Sequence, residues 1–401
     1  MTIPFSPPDI TLLEQQGLLE VLNSGWLTTG PKTKELEQKI TQWCRSAGTV
    51  CLNSGTAALE LSLRLLGVGP GDEVITTPYT YTATASAVCH TGAQLVLADT
   101  APGSYEMDWQ QAAAKISRRT KAIIVVDIGG VPCHYSQWLA LAEEKQKLFF
   151  PSTALQSYLG RVAIVADAAH SFGSQYQGAA SGAIADFTAF SFHAVKNLTT
   201  GEGGALTWRR GLPAQQLYRQ GQILSLHGQT KDALAKTRAG SWEYDILTPG
   251  WKWNMTDLAA ALGLAQLERY PNMLASRRRC LGVYRSILQG LPVTMLEHPT
   301  GETASNCHLN MVRILGCGPA QRNEVIQYMA EKGVAANVHY KPLPLLTAYR
   351  NMGFSPKGFP NACRQYENEV TLPLFSSMTQ EQAQYAAEVF CQAVGEVAAL
   401  H

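Results

Sequence analysis

The stretch AFSFHAVKNLTTGEGGALTW, residues 189–208, places a single lysine, Lys196, between two apolar runs that resemble buried strands. A long cationic side chain at a strand end is usually solvated, with its aliphatic stem lying along the apolar surface. If the surroundings bury the amine instead, its charged form is disfavoured and the neutral amine becomes available as a nucleophile. Lys196 is therefore either a loop residue or a reacting group, and the residues around it must distinguish these alternatives.

Short apolar runs alternate with helical patterns from about residue 49 onward. TVCL (49–52), KAIIVVDIGG (121–130) and RVAIVADAA (161–169) are continuous in Val, Ile, Leu and Ala instead of alternating with polar residues. Such runs are typical of strands that are covered on both faces, as in a mainly parallel sheet flanked by helices. The sequence therefore predicts an α/β fold.

The pattern changes near residue 255. MTDLAAALGLAQLERY (255–270) and MLASRRRCLGVYRSIL (273–288) predict two consecutive helices that lead out of the α/β region. We predict three parts: an N-terminal arm over 1–15, a large domain over 16–267 and a smaller α+β domain over 268–401.

Composition excludes several classes of protein. Lys plus Arg (32) balances Asp plus Glu (31), which argues against a nucleic-acid-binding protein. No window approaches the ~18 uninterrupted apolar residues of a membrane span, and the first residues do not resemble a signal peptide. The nine cysteines are scattered without a C-x-x-C pair, which favours reduced thiols over disulfides or a zinc site. We expect a cytoplasmic enzyme that needs no metal.

Two further motifs place polar groups at strand ends. In NSGTAALEL (53–61) a strand ends and a helix begins, so free N–H groups and the Thr56 hydroxyl could bind a phosphate, although a simple helix cap is the commoner explanation. In VADAAHSFG (165–173), Asp167 follows an apolar strand, and its carboxylate would need a cation or donors, such as a protonated ring nitrogen. The alternative is that Asp167 caps the following turn.

Aromatic residues complete the set. TTPYTYTATAS (76–86) carries Tyr79 and Tyr81 after a strand, where a ring could stack on a planar cofactor or simply pack in the core. A phosphate cradle, a stacking ring, a carboxylate partner and a lysine together describe a pyridoxal phosphate site.

Several of these segments resemble the DegT/DnrJ/EryC1/StrS sugar aminotransferases. The resemblance runs from about residue 3 to 395 and includes SFHAVKN followed by GEGG, ADAAHSFGS (166–174) and GWKWNM (250–255). It implies a fold-type I pyridoxal-phosphate-dependent transferase with a mainly parallel seven-stranded sheet, and a homodimer whose active sites lie at the subunit interface. Within the family the pattern is most similar to enzymes that aminate UDP-linked 4-keto sugars.

The resemblance also implies roles for individual residues. Lys196 would form the Schiff base with the cofactor and then move the substrate proton, and Asp167 would pair with the pyridine nitrogen. His170 would contact the phenolic oxygen side of the ring, and Tyr81 would stack on it, with Tyr79 as the weaker candidate. The residues that would hold the phosphate are Gly55, Thr56 and Ser191.

Two features depart from the family pattern. Many members have an asparagine where this chain has Lys252, and that asparagine reaches the phosphate in the neighbouring subunit. Lys252 would make a charge-assisted contact there or point elsewhere. The segment QKLFFPSTALQSYLGR (146–161) is longer than the family suggests, and either an exposed flap or an interface element would explain it.

We therefore expect an aminotransferase that moves an amino group from glutamate to a nucleotide-linked keto-hexose, most simply a UDP-linked 4-keto sugar. A 3-keto sugar or a cyclic keto-alcohol as acceptor, and a non-catalytic binding protein on the same fold, are the alternatives. A related dehydratase branch carries histidine at the lysine position, so Lys196 argues against it. His308, Tyr340 and Lys341 either face the sugar or are structural.

Overall fold

In the computed structural model, which describes residues 1–231 and 242–400, seven strands form one sheet. In sheet order they are β1 Gly48–Leu52, β9 Gly204–Trp208, β8 Phe187–Ser191, β5 Ala163–Asp167, β4 Thr120–Val126, β2 Glu73–Thr76 and β3 Gln94–Leu97. β9 is antiparallel to both of its neighbours, and every other adjacent pair is parallel. The prediction of a mainly parallel seven-stranded sheet is confirmed.

Helices cover both faces of this sheet. Neighbouring residues in one strand belong to different cores: Ile124 packs in the core that contains helix α3, and Ile123 packs in the core that contains α2 and α6. The α-helices of the described part of the chain are α1 Leu12–Ser24, α2 Pro31–Cys44, α3 Gly55–Leu66, α4 Thr82–Thr91, α5 Trp109–Lys115, α6 Tyr135–Glu144, α7 Ala154–Leu159, α8 Ala214–Ser225, α9 Asp257–Ile287, α10 Pro319–Glu331, α11 Thr347–Asn351, α12 Pro360–Glu367 and α13 Gln380–Leu400. Burial on both faces explains why the strand sequences do not alternate.

A second, antiparallel sheet lies in the C-terminal part of the chain. Its strands are β10 Val293–Met295, β11 Asn310–Ile314 and β12 Glu369–Leu372, and β11 is the central one. Its buried face shares a third core with helices α10 and α13. A two-stranded hairpin, β6 Gln175–Tyr176 and β7 Ala179–Ala180, completes the strands of the described residues.

The N-terminal residues join this third core. Ile3 is 1% exposed, and its backbone pairs with residues 333 and 335 just after α10. Further along, the Phe5 ring stacks on the His339 ring with centroids 5.6 Å apart. The first residues therefore bind the chain's C-terminal part before α1 begins at Leu12.

Two predicted helices form one continuous helix. α9 spans Asp257–Ile287 with Pro271 inside it, so the prediction of two consecutive helices was wrong. A proline removes one backbone hydrogen bond and usually bends or ends a helix. Here Tyr270, Met273 and Leu274 are buried on either side of the proline, and this packing holds the helix together. The predicted domain boundary at residue 268 falls inside α9.

The long 146–161 segment packs against the end of α3. The Gln156 side chain is fully buried and donates to the Leu66 carbonyl at 2.8 Å. α3 begins next to the carboxyl ends of the strands, and its 12 residues extend ~18 Å away from them. The segment therefore lies near the amino ends of the strands, on the side away from their carboxyl ends, and it exposes Phe150 and Tyr158 there.

No helix among the described residues is both long and apolar enough to cross a membrane. Within the same residues, no group of three or more His, Cys, Asp or Glu side chains could hold a metal ion.

Candidate active site

A cavity of about 440 Å³ opens at the carboxyl ends of β5 and β8. In parallel sheets these ends converge on one edge, which is where ligands bind in open α/β folds. Asp167 ends β5 and is paired in register with Ala189 of β8, so Ser191 at the end of β8 lies on the same edge. The N-terminus of α3 and the loop before residue 341 form the other walls.

The residues of the predicted phosphate cradle lie at the N-terminus of α3. The Ser54 side chain accepts from the Ala57 N–H at 3.1 Å, which caps the helix. The N–H groups of Gly55 and Thr56, which line the cavity, have no hydrogen-bond partner among residues 1–231 and 242–400. A Cβ atom at Gly55 would lie 2.9 Å from Ser191 Cβ, so only glycine lets the helix approach β8 this closely. These free donors and the positive end of the helix suit a phosphate group.

Asp167 is a buried carboxylate that makes no ion pair with any of the residues that the structure describes. Its side chain accepts from the Thr84 hydroxyl at 2.6 Å and from the Ala169 N–H at 3.2 Å, and the residue is 6% exposed. Burial raises its pKa, while these two hydrogen bonds and the charge of Lys196 oppose the rise. A protonated ring nitrogen would complete its environment, so Asp167 fits the pyridine partner that the sequence predicted.

Lys196 lines the same cavity, in the loop that follows β8. Burial lowers the pKa of its amine to about 8, and the charge of Asp167 only partly opposes this. A lysine with such a pKa has a substantial neutral fraction near physiological pH, which a nucleophile or a general base requires. These surroundings favour a reacting group over a solvated loop residue.

The two tyrosines of the 76–86 motif have different surroundings. Tyr81 lines the cavity and is 61% exposed, whereas Tyr79 is fully buried. The Tyr79 hydroxyl donates to the His339 carbonyl at 2.7 Å and so anchors the wall formed by residues 337–340. Of the two, Tyr81 is therefore placed to cover a cofactor ring.

Lys252 does not line the cavity of its own chain. Its amine donates to Asn254 Oδ1 at 2.6 Å, and its backbone carbonyl accepts from the Asn53 side chain, just before the cradle. The structure brings together the other predicted site residues around one cavity: Gly55, Thr56, Tyr81, Asp167, His170, Ser191 and Lys196.

The structure adds residues that the sequence reasoning missed. Asp127 directly follows β4, and its buried carboxylate accepts from the hydroxyls of Ser171 and Tyr135. Burial raises its pKa to about 6. The acidic residue after an apolar strand was a signal that could have found it. Asn337 and His339 also line the cavity, but they come from the C-terminal part, where no local pattern indicated a site.

Comparisons with known proteins agree with this geometry. The profile of the DegT/DnrJ/EryC1/StrS aminotransferase family matches residues 8–390. The spore coat polysaccharide biosynthesis protein SpsC of Bacillus subtilis is 36% identical over 383 residues, 94% of each chain.

Solved structures give the same result. Spr1654 of Streptococcus pneumoniae, assigned as a sugar aminotransferase and solved in its PMP form, superposes with a TM-score of 0.95 at 49% identity, covering 98% of this chain and 100% of that one. PseC of Helicobacter pylori, an aminotransferase in pseudoaminic acid biosynthesis, gives 0.86 at 26% identity, covering 99% and 100%. The chain belongs to the DegT/DnrJ/EryC1/StrS family and is a pyridoxal-phosphate-dependent sugar aminotransferase.

Proposed function

We propose that this enzyme moves an amino group from glutamate to a nucleotide-linked keto-hexose, specifically a UDP-linked 4-keto sugar. The observation that carries the proposal is the presence, in one cavity, of a lysine whose pKa is lowered to about 8 and a buried carboxylate that makes no direct ion pair among the described residues. The resemblance of the whole chain to sugar aminotransferases supports a sugar acceptor.

The chain's own residues would divide the work of the reaction. Gly55, Thr56 and Ser191 would hold the phosphate, and Asp167 would keep the ring nitrogen protonated. Pyridoxal phosphate, when bound, supplies the electron sink that stabilises negative charge on the substrate carbon. Lys196 Nζ, held against the same carbon, would take up and return the proton as a general base.

The shape of the cavity supports an acceptor with a large attached group. A cavity of about 440 Å³ can enclose the cofactor and a sugar ring, but a nucleotide in addition would extend beyond it. The mouth beside the exposed Tyr81 would let the nucleotide leave the cavity. A cytoplasmic location, where nucleotide-linked sugars are made, is also part of the proposal, and nine free cysteines support it.

The test uses the cofactor as its own reporter. Holoenzyme would be bleached with glutamate, freed of excess amino acid and mixed with 4-keto sugars linked to UDP, dTDP or GDP. We expect the UDP sugar to restore the absorption band. Restoration only by 3-keto sugars or cyclitols would contradict the 4-keto assignment, and failure of glutamate to bleach the band would contradict the donor. Lys196→Ala should abolish the cycle, and Lys147→Ala, at an exposed position, should not.

We also propose a homodimer in which Lys252 binds the phosphate in the partner subunit. Lys252 lies outside its own cavity, and α1 exposes Leu12, Leu19 and Leu22. Exposed apolar side chains in one helix are typical of a protein interface. Lys252→Ala should weaken cofactor binding about 10-fold or more, the value of one charge-assisted hydrogen bond. An unchanged affinity, or a monomer in sedimentation velocity, would contradict the proposal.

A further inference from the structure

The wall of the cavity contains a hydrogen bond whose direction can be deduced. His170 Nε2 lies 3.0 Å from the Tyr340 hydroxyl, and the two rings are stacked with centroids 6.0 Å apart. Tyr340 also packs against Tyr81 at 5.9 Å, so it stands between the wall and the exposed ring at the mouth. A hydroxyl can donate or accept in such a pair, so the protonation of His170 decides its role.

The other ring nitrogen of His170 fixes that protonation. The backbone N–H of Gly129 donates to His170 Nδ1 at 3.3 Å, and an N–H group can only donate, so Nδ1 carries no proton. His170 is buried, and burial, together with the charges of Lys196 and His339, lowers its pKa well below the usual value. The ring is therefore neutral, its one proton is on Nε2, and the Tyr340 oxygen accepts it.

This arrangement leaves the hydroxyl proton of Tyr340 unused. A tyrosine hydroxyl has one proton to donate, and Tyr340 has no second hydrogen-bond partner among residues 1–231 and 242–400. The residue lines the cavity, so an acceptor can reach it only from the cavity side. Burial raises the pKa of Tyr340, and the proximity of Asp167 raises it further, so the hydroxyl keeps its proton over the working pH range.

We propose that Tyr340 is the hydrogen-bond donor of this cavity and that its hydroxyl binds an electron-rich oxygen of the ligand. That oxygen is either the ketone oxygen of the sugar or the phenolic oxygen of the cofactor. The inference rests on the proposed function where it concerns the sugar. Gly129 and His170 are positioning residues in this scheme, because they act only by keeping the tyrosine oxygen occupied as an acceptor.

Tyr340→Phe tests the donor, because phenylalanine keeps the ring packing and removes only the hydroxyl. The matched control is Tyr158→Phe, whose hydroxyl donates to the Gly211 carbonyl near the amino ends of the strands. Three readouts on the holoenzyme apply: the ¹⁵N-detected tautomer of His170 in the unmodified enzyme, the pH dependence of the cofactor absorption, and the two half-reactions in single turnovers.

The two acceptors give different results. If the sugar ketone is the acceptor, the keto-sugar half-reaction slows about 5- to 100-fold, the effect of one lost hydrogen bond, and the absorption curve is unchanged. If the phenolic oxygen is the acceptor, the midpoint of the absorption curve moves by about one pH unit or more, and both half-reactions slow.

Other outcomes overturn the proposal. A proton on His170 Nδ1 would reverse the hydrogen bond between His170 and the Tyr340 hydroxyl. A Tyr340→Phe enzyme within twofold of the control in all kinetic and absorption readouts would show that the hydroxyl binds no ligand oxygen. If the unmodified enzyme accepts no keto sugar, the function proposed above fails separately. The His170 tautomer, the absorption curve and the glutamate half-reaction then decide the role of Tyr340. If Tyr340→Phe changes neither the curve nor this half-reaction, the proposal for Tyr340 is overturned.

Discussion

Glu369 offers a prediction whose size follows from the structure. It begins β12 with no exposed surface, accepts from the His339 N–H at 2.8 Å and bonds the Thr371 hydroxyl. Burial raises its pKa to about 8 from an ordinary value of 4.5, although these bonds and Arg322 oppose the rise. Because His339 lines the cavity, this carboxyl holds part of the active-site wall.

The sign and the size of the effect on stability follow from proton linkage. Below pH 4.5 the carboxyl is protonated in both states, and between 4.5 and about 8 the unfolded chain loses the proton while the folded one keeps it. The folded state therefore binds more protons, and rising pH lowers the free energy of unfolding by about 1.4 kcal/mol per pH unit. Over the whole interval the loss amounts to about 5 kcal/mol.

Glu369→Gln should remove this slope while keeping an oxygen that can accept from His339 N–H. The assay is urea unfolding of both proteins at pH 5.5, 6.5 and 7.5. We expect the unmodified protein to lose about 1.2 kcal/mol per pH unit relative to the variant, slightly less than the full slope because pH 7.5 is close to the folded pKa of about 8. Other buried carboxyls, such as Glu37 and Asp127, titrate in both proteins and cancel in the difference. A pH-independent difference would refute the reasoning, because the folded carboxyl would then be ionised throughout.

Three further predictions concern the cavity itself. Asp167→Asn should lower kcat/KM about 10- to 1,000-fold, since a neighbouring opposite charge shifts a pKa by ~1–3 pH units, and steady-state kinetics with intact cofactor binding would show it. Gly204→Ala places a Cβ atom 2.4 Å from the Ser54 carbonyl carbon, so it should destabilise the fold by about 1–3 kcal/mol and weaken cofactor binding, whereas Gly282→Ala, with open space around it, should do neither. In apoenzyme the rate of cofactor attachment should rise with pH with a midpoint near 8, where half of the Lys196 amine is neutral, and then level off; a rate still rising above pH 10 would contradict this.

Local sequence patterns were sufficient to predict which residues lie together at the ends of neighbouring strands. Asp167 and Ser191 follow apolar runs, and parallel strands bring their carboxyl ends to one edge, so the sequence alone places them together. The cradle at Gly55 and the loop of Lys196 are placed by the same rule. The sheet was also predictable from the sequence, because strands that are buried on both faces have continuous apolar sequences.

Contacts between distant segments were not predictable in this way. Tyr340 meets His170 across 170 residues, and the contact depends on how the C-terminal sheet packs against the edge of the large one. The direction of that bond depends on a backbone N–H at Gly129, which carries no side-chain signal. The continuity of α9 was missed because Pro271 normally ends a helix and only tertiary packing keeps this one intact.

The charges of Lys196 and Asp167 and the three histidines near Lys196 depend on one another. Burial lowers the pKa values of His170, His308 and His339, that of His339 to about 3, and the charge of Lys196 lowers all three further. Three imidazoles packed near one lysine therefore stay neutral, and they supply hydrogen bonds without adding positive charge. Additional cations there would stabilise the ionised form of Asp167 and compete with a ring nitrogen for it. Neutral imidazoles therefore add no positive charge beside Asp167 and Lys196, which would help Asp167 to hold a proton on the ring nitrogen of a cofactor and Lys196 to lose its own proton.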